Sequence, residues 1–152
     1  MNKNIFFFTA ITFFSFTVFA QERDLAELLR KDLQKEKATL ITTAMAFSTD
    51  ESAVFWPIYR DYEKSLSAIM DKRLALIQDY ANNYEKMTPE KSTEIVNKAF
   101  DLEAVRTKLL KKYFKKFSKA FTPTRAARFV QVENQILKLL DVQVAQALPL
   151  VY

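Results

Sequence analysis

Between residues 55 and 80 the apolar positions fall at Phe55, Tyr59, Tyr62, Leu66, Ile69, Leu76 and Tyr80, with Arg73 filling the one gap, so the steps alternate 4,3,4,3,4,3,4. This is the spacing with which a long helix packs along a neighbour, and it predicts a helix over about 50–85. Pro57, preceded by Trp56, lies a turn or two inside its start and predicts a kink there. Upstream, Leu25, Leu29, Leu33, Leu40, Ala44 and Phe47 keep near-helical spacing, which predicts a first helix from about Asp24 to Phe47. It should stop where Ser48 and Glu51 stand in the register of a capping box.

Two stretches then share one design: "MTPE" at 87–90 and "FTPT" at 121–124. Thr88 and Thr122 are good N-cap residues. Pro89 and Pro123 suit the first helical position, where a missing N–H costs nothing. Glu90 adds a negative charge at the positive helix end. A third helix is therefore predicted from about Pro89 to Ala120 and a fourth from Pro123 to about Leu148, stopped by Pro149.

These elements make the fold class all-α: four long amphipathic helices in an elongated antiparallel hairpin or bundle. Composition agrees, because the 152 residues contain no glycine. Tight hairpins and bulges lean on residues with positive φ, so an all-β fold is excluded. No Ser/Gly linker or low-complexity run divides the chain, and residues 21–152 are expected to form one domain.

The first 20 residues, MNKNIFFFTAITFFSFTVFA, stand apart. Lys3 is a short positive region, Ile5 to Phe19 is uncharged, and Val18 and Ala20 suit the −3 and −1 positions of a cleavage site. This is the grammar of a secretory signal peptide. A retained membrane anchor is the rival reading, but Ile5 to Ala20 would span only about 24 Å at roughly 1.5 Å per residue, against a hydrocarbon core of roughly 30 Å. An exported domain with no cysteine relies on packing alone, which suits a bacterial periplasm better than a disulfide-stapled extracellular module.

The same composition narrows the chemistry. With Cys 0, His 0 and Gly 0, the chain has no thiol or imidazole nucleophile, no His/Cys zinc site, no glycine-rich phosphate loop and no nucleophile elbow. No acidic run has the spacing of a calcium loop. The expectation is a protein that is not an enzyme, without cofactor or metal.

Charge is unevenly placed. Net charge is +5, yet from Arg106 to Arg128 there are nine Lys/Arg and no acid, so the remainder is net acidic. On a helical wheel Lys108, Lys111, Lys112, Lys115, Lys116 and Lys119 share one face, and Leu109, Leu110, Tyr113, Phe114 and Phe117 share the other. With Arg125 and Arg128 these lysines are the candidate partner surface. Four readings compete: a solvated outer face, a surface for acidic or amphipathic protein clients, contact with anionic lipid headgroups, and nucleic acid. An exported chain meets no genome, so nucleic acid is set aside. Arg73 and Arg106 fall on apolar sides of their helices and need ion-pair partners; Glu103, three residues before Arg106, is one. Long thin helices commonly complete their burial by dimerising, so a homodimer is expected beside intramolecular packing.

With its signal segment, helix count and paired Thr-Pro starts, the chain resembles the Spy/CpxP family of bacterial periplasmic proteins, known by two Leu-Thr-x-x-Gln motifs. The matching positions are Met87, Thr88, Pro89, Glu90 and Lys91, then Phe121, Thr122, Pro123, Thr124 and Arg125. Met and Phe replace the leucines, and Lys91 and Arg125 replace both glutamines. The resemblance implies curved, antiparallel helical dimers with an envelope-stress role. Some such proteins are ATP-independent chaperones, some restrain a sensor kinase, and related members bind metal. Metal sensing lacks a ligand set here, since beyond the signal segment there are only Met45, Met70 and Met87 and no histidine. The stretch "AARFVQVENQILKLLDVQVAQALPLV" also resembles uncharacterised exported helical proteins of Gram-negative bacteria. The function expected is a holdase or interaction protein that binds unfolded or envelope proteins through a basic, partly apolar surface. The alternative is a structural protein resting on the membrane surface.

Overall fold

In a computed structural model the described residues are 35–150, and those in regular structure are all helical. Helix α1 covers 35–45, α2 Thr49–Asn83, α3 Pro89–Ala120 and α4 Pro123–Ala147, with a short 3-10 turn, Tyr84–Lys86, after α2. The signal segment 1–20 and the expected first-helix positions Leu25, Leu29 and Leu33 lie outside the described residues. The chain divides into two units, Met1–Leu40 and Ile41–Tyr152. In the first, residues 35–40 are helical. The second holds the end of α1, all of α2, α3 and α4, and the core packed among them.

Each corner is built from local chemistry. At the end of α1, Ala46 takes φ 45°, a left-handed conformation that glycine would usually supply, and for a residue with a Cβ this costs roughly 1–2 kcal/mol. Its N–H still reaches the Thr42 carbonyl at 3.0 Å. Two residues later the expected capping box is present: the Glu51 N–H donates to Ser48 Oγ at 3.2 Å, and the Ser48 N–H donates to Glu51 Oε2 at 3.0 Å. The two Thr-Pro starts are equally literal. The Lys91 N–H donates to Thr88 Oγ1 and the Arg125 N–H to Thr122 Oγ1, each at 3.2 Å, with proline opening both helices. Helix α2 runs on through Pro57, whose side chain is exposed.

Helix α2 packs along α3, and α3 along α4. The core is aromatic at one end. Phe55 stacks on Phe117 at 5.0 Å and meets Phe129 edge-on at 5.6 Å, while Phe117 and Phe129 lie 4.5 Å apart. Tyr62 faces Tyr113 at 5.3 Å. Ile41, Met45, Tyr59, Leu66, Ala126, Ile136 and Leu137 complete this cluster. The heptad seam of α2 splits in two: Phe55, Tyr59, Tyr62 and Leu66 are buried, whereas Ile69, Arg73, Leu76 and Tyr80 are only half-buried. Helix period put both halves on one face, but only the first is tightly covered.

Phe117→Ala should cost about 3–5 kcal/mol, because the ring is buried among three others and its space cannot collapse. Denaturant unfolding of the two forms measures this. A loss below about 1 kcal/mol would mean the aromatic cluster is not the core.

Candidate functional site

The six lysines Lys108, Lys111, Lys112, Lys115, Lys116 and Lys119 are all exposed on α3. The reason is helical period: Tyr113 and Phe117 turn inward to the aromatic cluster, which leaves the lysines on the outer arc. Among the described residues no carboxylate forms an ion pair with any of them. Lys116 Nζ lies 4.7 Å and Lys112 Nζ 5.6 Å from the centre of the Tyr113 ring, so two ammonium groups lie over one aromatic ring. Among the phenylalanines of α3, the corner after it and α4, Phe117 and Phe129 are core, Phe114 and Phe121 are half-buried, and Phe100 alone is open, at 69 % exposure.

Arg125 and Arg128 behave differently from these lysines. Arg125 forks onto Glu51, Nε to Oε1 at 3.0 Å and Nη2 to Oε2 at 2.7 Å, and its Nη1 reaches the Met45 carbonyl at 2.9 Å. Arg128 Nε donates to the Ala44 carbonyl at 2.9 Å. Both bind the start of α4 to the corner between α1 and α2, and Arg125 also covers the Phe47 ring. They hold the fold as well as adding charge to the surface. Lys91 plays the matching part at the other corner, with Nζ 2.8 Å from Asp79 and 3.2 Å from Glu94. At both Thr-Pro starts the cation three residues after the cap thus gives its backbone N–H to the threonine and its side-chain charge to an acid. The Asp79 contact, ahead of Glu94, raises the Lys91 pKa. The Ser48 N–H, and then the Arg125 guanidinium, lower that of Glu51.

Arg73 and Arg106 meet at one carboxylate that the sequence pattern had not singled out, Asp141 of α4. Arg73 Nη1 pairs with its Oδ1, and Arg106 Nη2 lies 3.5 Å from Oδ2. The expected Glu103 pairing is present as a fork, at 2.8 and 3.0 Å from Arg106. This ion network stands at one end of a groove of about 460 Å³ between α2, α3 and the end of α4. A second unforeseen carboxylate, Glu133, is 0 % exposed and accepts from the Tyr62 hydroxyl at 2.9 Å. Burial, reinforced by Glu133, pushes the Tyr59 and Tyr62 hydroxyls far above their ordinary pKa, so both stay neutral donors. The signal for Glu133 was available: it sits in the stripe Ala126, Phe129, Glu133, Ile136, whose steps are helical.

Among the described residues no group of three or more acidic, His or Cys side chains could hold a metal ion, and no helix is long and apolar enough to cross a membrane. No family model, no curated protein and no solved structure matches this chain.

The Glu51 carboxylate yields a test with a definite sign. Its folded pKa lies below the ordinary 4.5, so its contribution is fully present above the ordinary value and is lost as pH falls through the lowered one. Glu51→Gln should therefore melt at a lower temperature than the parent at neutral pH, with the difference closing on acidification. Thermal melts by circular dichroism at both pH values check it. A difference independent of pH would show that the carboxylate charge does not stabilise this corner.

Proposed function

We propose that the protein is a non-catalytic interaction protein of the holdase type, exported to the bacterial envelope, as its resemblance to the Spy/CpxP proteins implies. It engages acidic or unfolded clients through the lysine face of α3. The observation that carries this reading is the uncompensated charge: six exposed lysines on one helix face without an ion-pairing acid among the described residues. A solvated face would more often interleave both signs, as Glu94 and Lys98 do one α-helical turn apart at the other end of the same helix. Such a face speeds encounter with acidic segments over distances near the Debye length of roughly 8–10 Å. Exposed Phe100, on the same helix, supplies an apolar contact after encounter. The homodimer expected from the long, thin helices is part of this proposal, and sedimentation of the free protein reads it out.

A membrane-surface role remains the second reading, favoured by one observation. The basic helix turns most of its aromatics inward, which leaves charge as the main means of attraction, and anionic headgroups need no more than that.

The test follows aggregation of an unfolding model client by light scattering, with the full-length chain and with a Lys111→Ser, Lys112→Ser, Lys115→Ser, Lys116→Ser variant. The expected result is suppression near stoichiometric amounts, weakened in the variant and slowed by added salt. A folded protein that leaves aggregation unchanged would eliminate general holdase activity. Flotation with anionic but not neutral vesicles would then support the membrane reading.

A further inference from the structure

The groove below the aromatic cluster has a polarity gradient of its own. Its walls are aliphatic: Ile69, Leu76 and Ile77 from α2, Ile95 and Leu102 from α3, and Val144 from α4. At one end stand Arg73 and Arg106. At the other, the chain closes itself. The Tyr80 hydroxyl donates to the Pro149 carbonyl at 2.6 Å and the Tyr84 hydroxyl to the Leu150 carbonyl at 3.1 Å, so both phenol groups are already engaged there. The volume, about 460 Å³, lies within the range of roughly 300–1,000 Å³ for sites that take small molecules.

The charged end is incompletely satisfied. A guanidinium has five N–H donors. Arg73, 28 % exposed, commits Nη1 to Asp141, and its Nε and Nη2 have no protein acceptor among the described residues. Arg106, 18 % exposed, commits Nε and Nη2, and its Nη1 likewise has none. Glu103, by contrast, is 58 % exposed and can turn to water. Two guanidiniums would then face one carboxylate, Asp141, and a second carboxylate from a ligand would balance them. Arginine forks bind carboxylates in just this two-pronged way.

We propose that this groove binds an aliphatic monocarboxylate, of the chemical class of a free fatty acid, with its chain along the α2 and α3 walls and its carboxylate on Arg73 and Arg106. A neutral apolar molecule would leave the arginine donors unanswered. A molecule polar at both ends would find the Tyr80 hydroxyl already engaged with the Pro149 carbonyl. An extended peptide would meet helical walls whose backbone groups are already bonded within the helices. The site is separate from the lysine face, and it stands or falls independently of the holdase reading.

Dodecanoate below its micellar concentration is the probe, titrated calorimetrically into the full-length chain. Saturable one-to-one binding is expected, and methyl dodecanoate, with the same chain and no charge, should bind at least about tenfold more weakly. Arg106→Gln should weaken dodecanoate binding by a similar factor. Ala99→Trp, which places a ring on the groove wall, should abolish it while thermal melts show a folded protein. The four-lysine variant should bind as the parent does. The proposal is overturned by absence of saturable binding, by equal binding of the methyl ester, or by undiminished binding to a folded Ala99→Trp variant. Loss of binding in the lysine variant would also overturn it, because the anion would then be held on α3's outer face.

Discussion

Every reversal in the described chain is made without glycine, and the rest of the architecture depends on how that is done. A helix end leaves backbone donors without partners, and here the starts of α2, α3 and α4 are each closed by a hydroxyl: Ser48, Thr88 and Thr122. Among the described residues the one in the left-handed region is an alanine, Ala46, held where the Arg125 and Arg128 guanidiniums grip the carbonyls of Met45 and Ala44 at the α1 terminus. Strain at the backbone and charge-assisted hydrogen bonds therefore occur at the same corner. The clamp gives that corner the fixed geometry from which α2 and α4 set out, and it brings Phe55 and Phe129 face to edge in the core.

The cations fall into two populations with different physics. Arg73, Arg106, Arg125 and Arg128 are engaged with carboxylates or carbonyls. The planar, permanently charged fork of arginine suits such partly buried geometry better than an ammonium. The six lysines from Lys108 to Lys119 are out in solvent, where a compact, strongly hydrated charge on a flexible stem loses little by remaining unpaired. The charge of the lysine face is thus separate from the charge that builds the fold. That separation is why the lysine face can be altered without touching the bundle, and why the groove with its arginines forms a distinct locus.

The bundle is also uneven along its length. Aromatic residues fill the half nearest the Ser48 and Thr122 corners, and aliphatic residues with two arginines occupy the half toward Thr88. Rings bury large areas and interlock at 4.5–5.6 Å. Isoleucine and leucine at the same heptad positions reach less far across the seam. The groove lies in that second half, on a helix whose period never changes.

Helix class, the helix starts and the placement of the lysines were legible in the sequence, because each depends on residues within a few positions of one another. Ser48 with Glu51, Thr88 with Pro89, and the 3.6-residue arc of lysines need no distant partner to act. Glu103 with Arg106 belongs to the same category. What only the tertiary structure decided involves residues far apart in the chain: Arg125 with Glu51, the convergence of Arg73 and Arg106 on Asp141, and Glu133 beneath Tyr62. Periodicity says which side of a helix is inward. It cannot say which inward residue of another helix will stand opposite, since that depends on the axial offset of helices joined by corners. The same offset made α2's continuous seam into a closed core above Leu66 and an open groove below it, a distinction that sequence spacing does not contain.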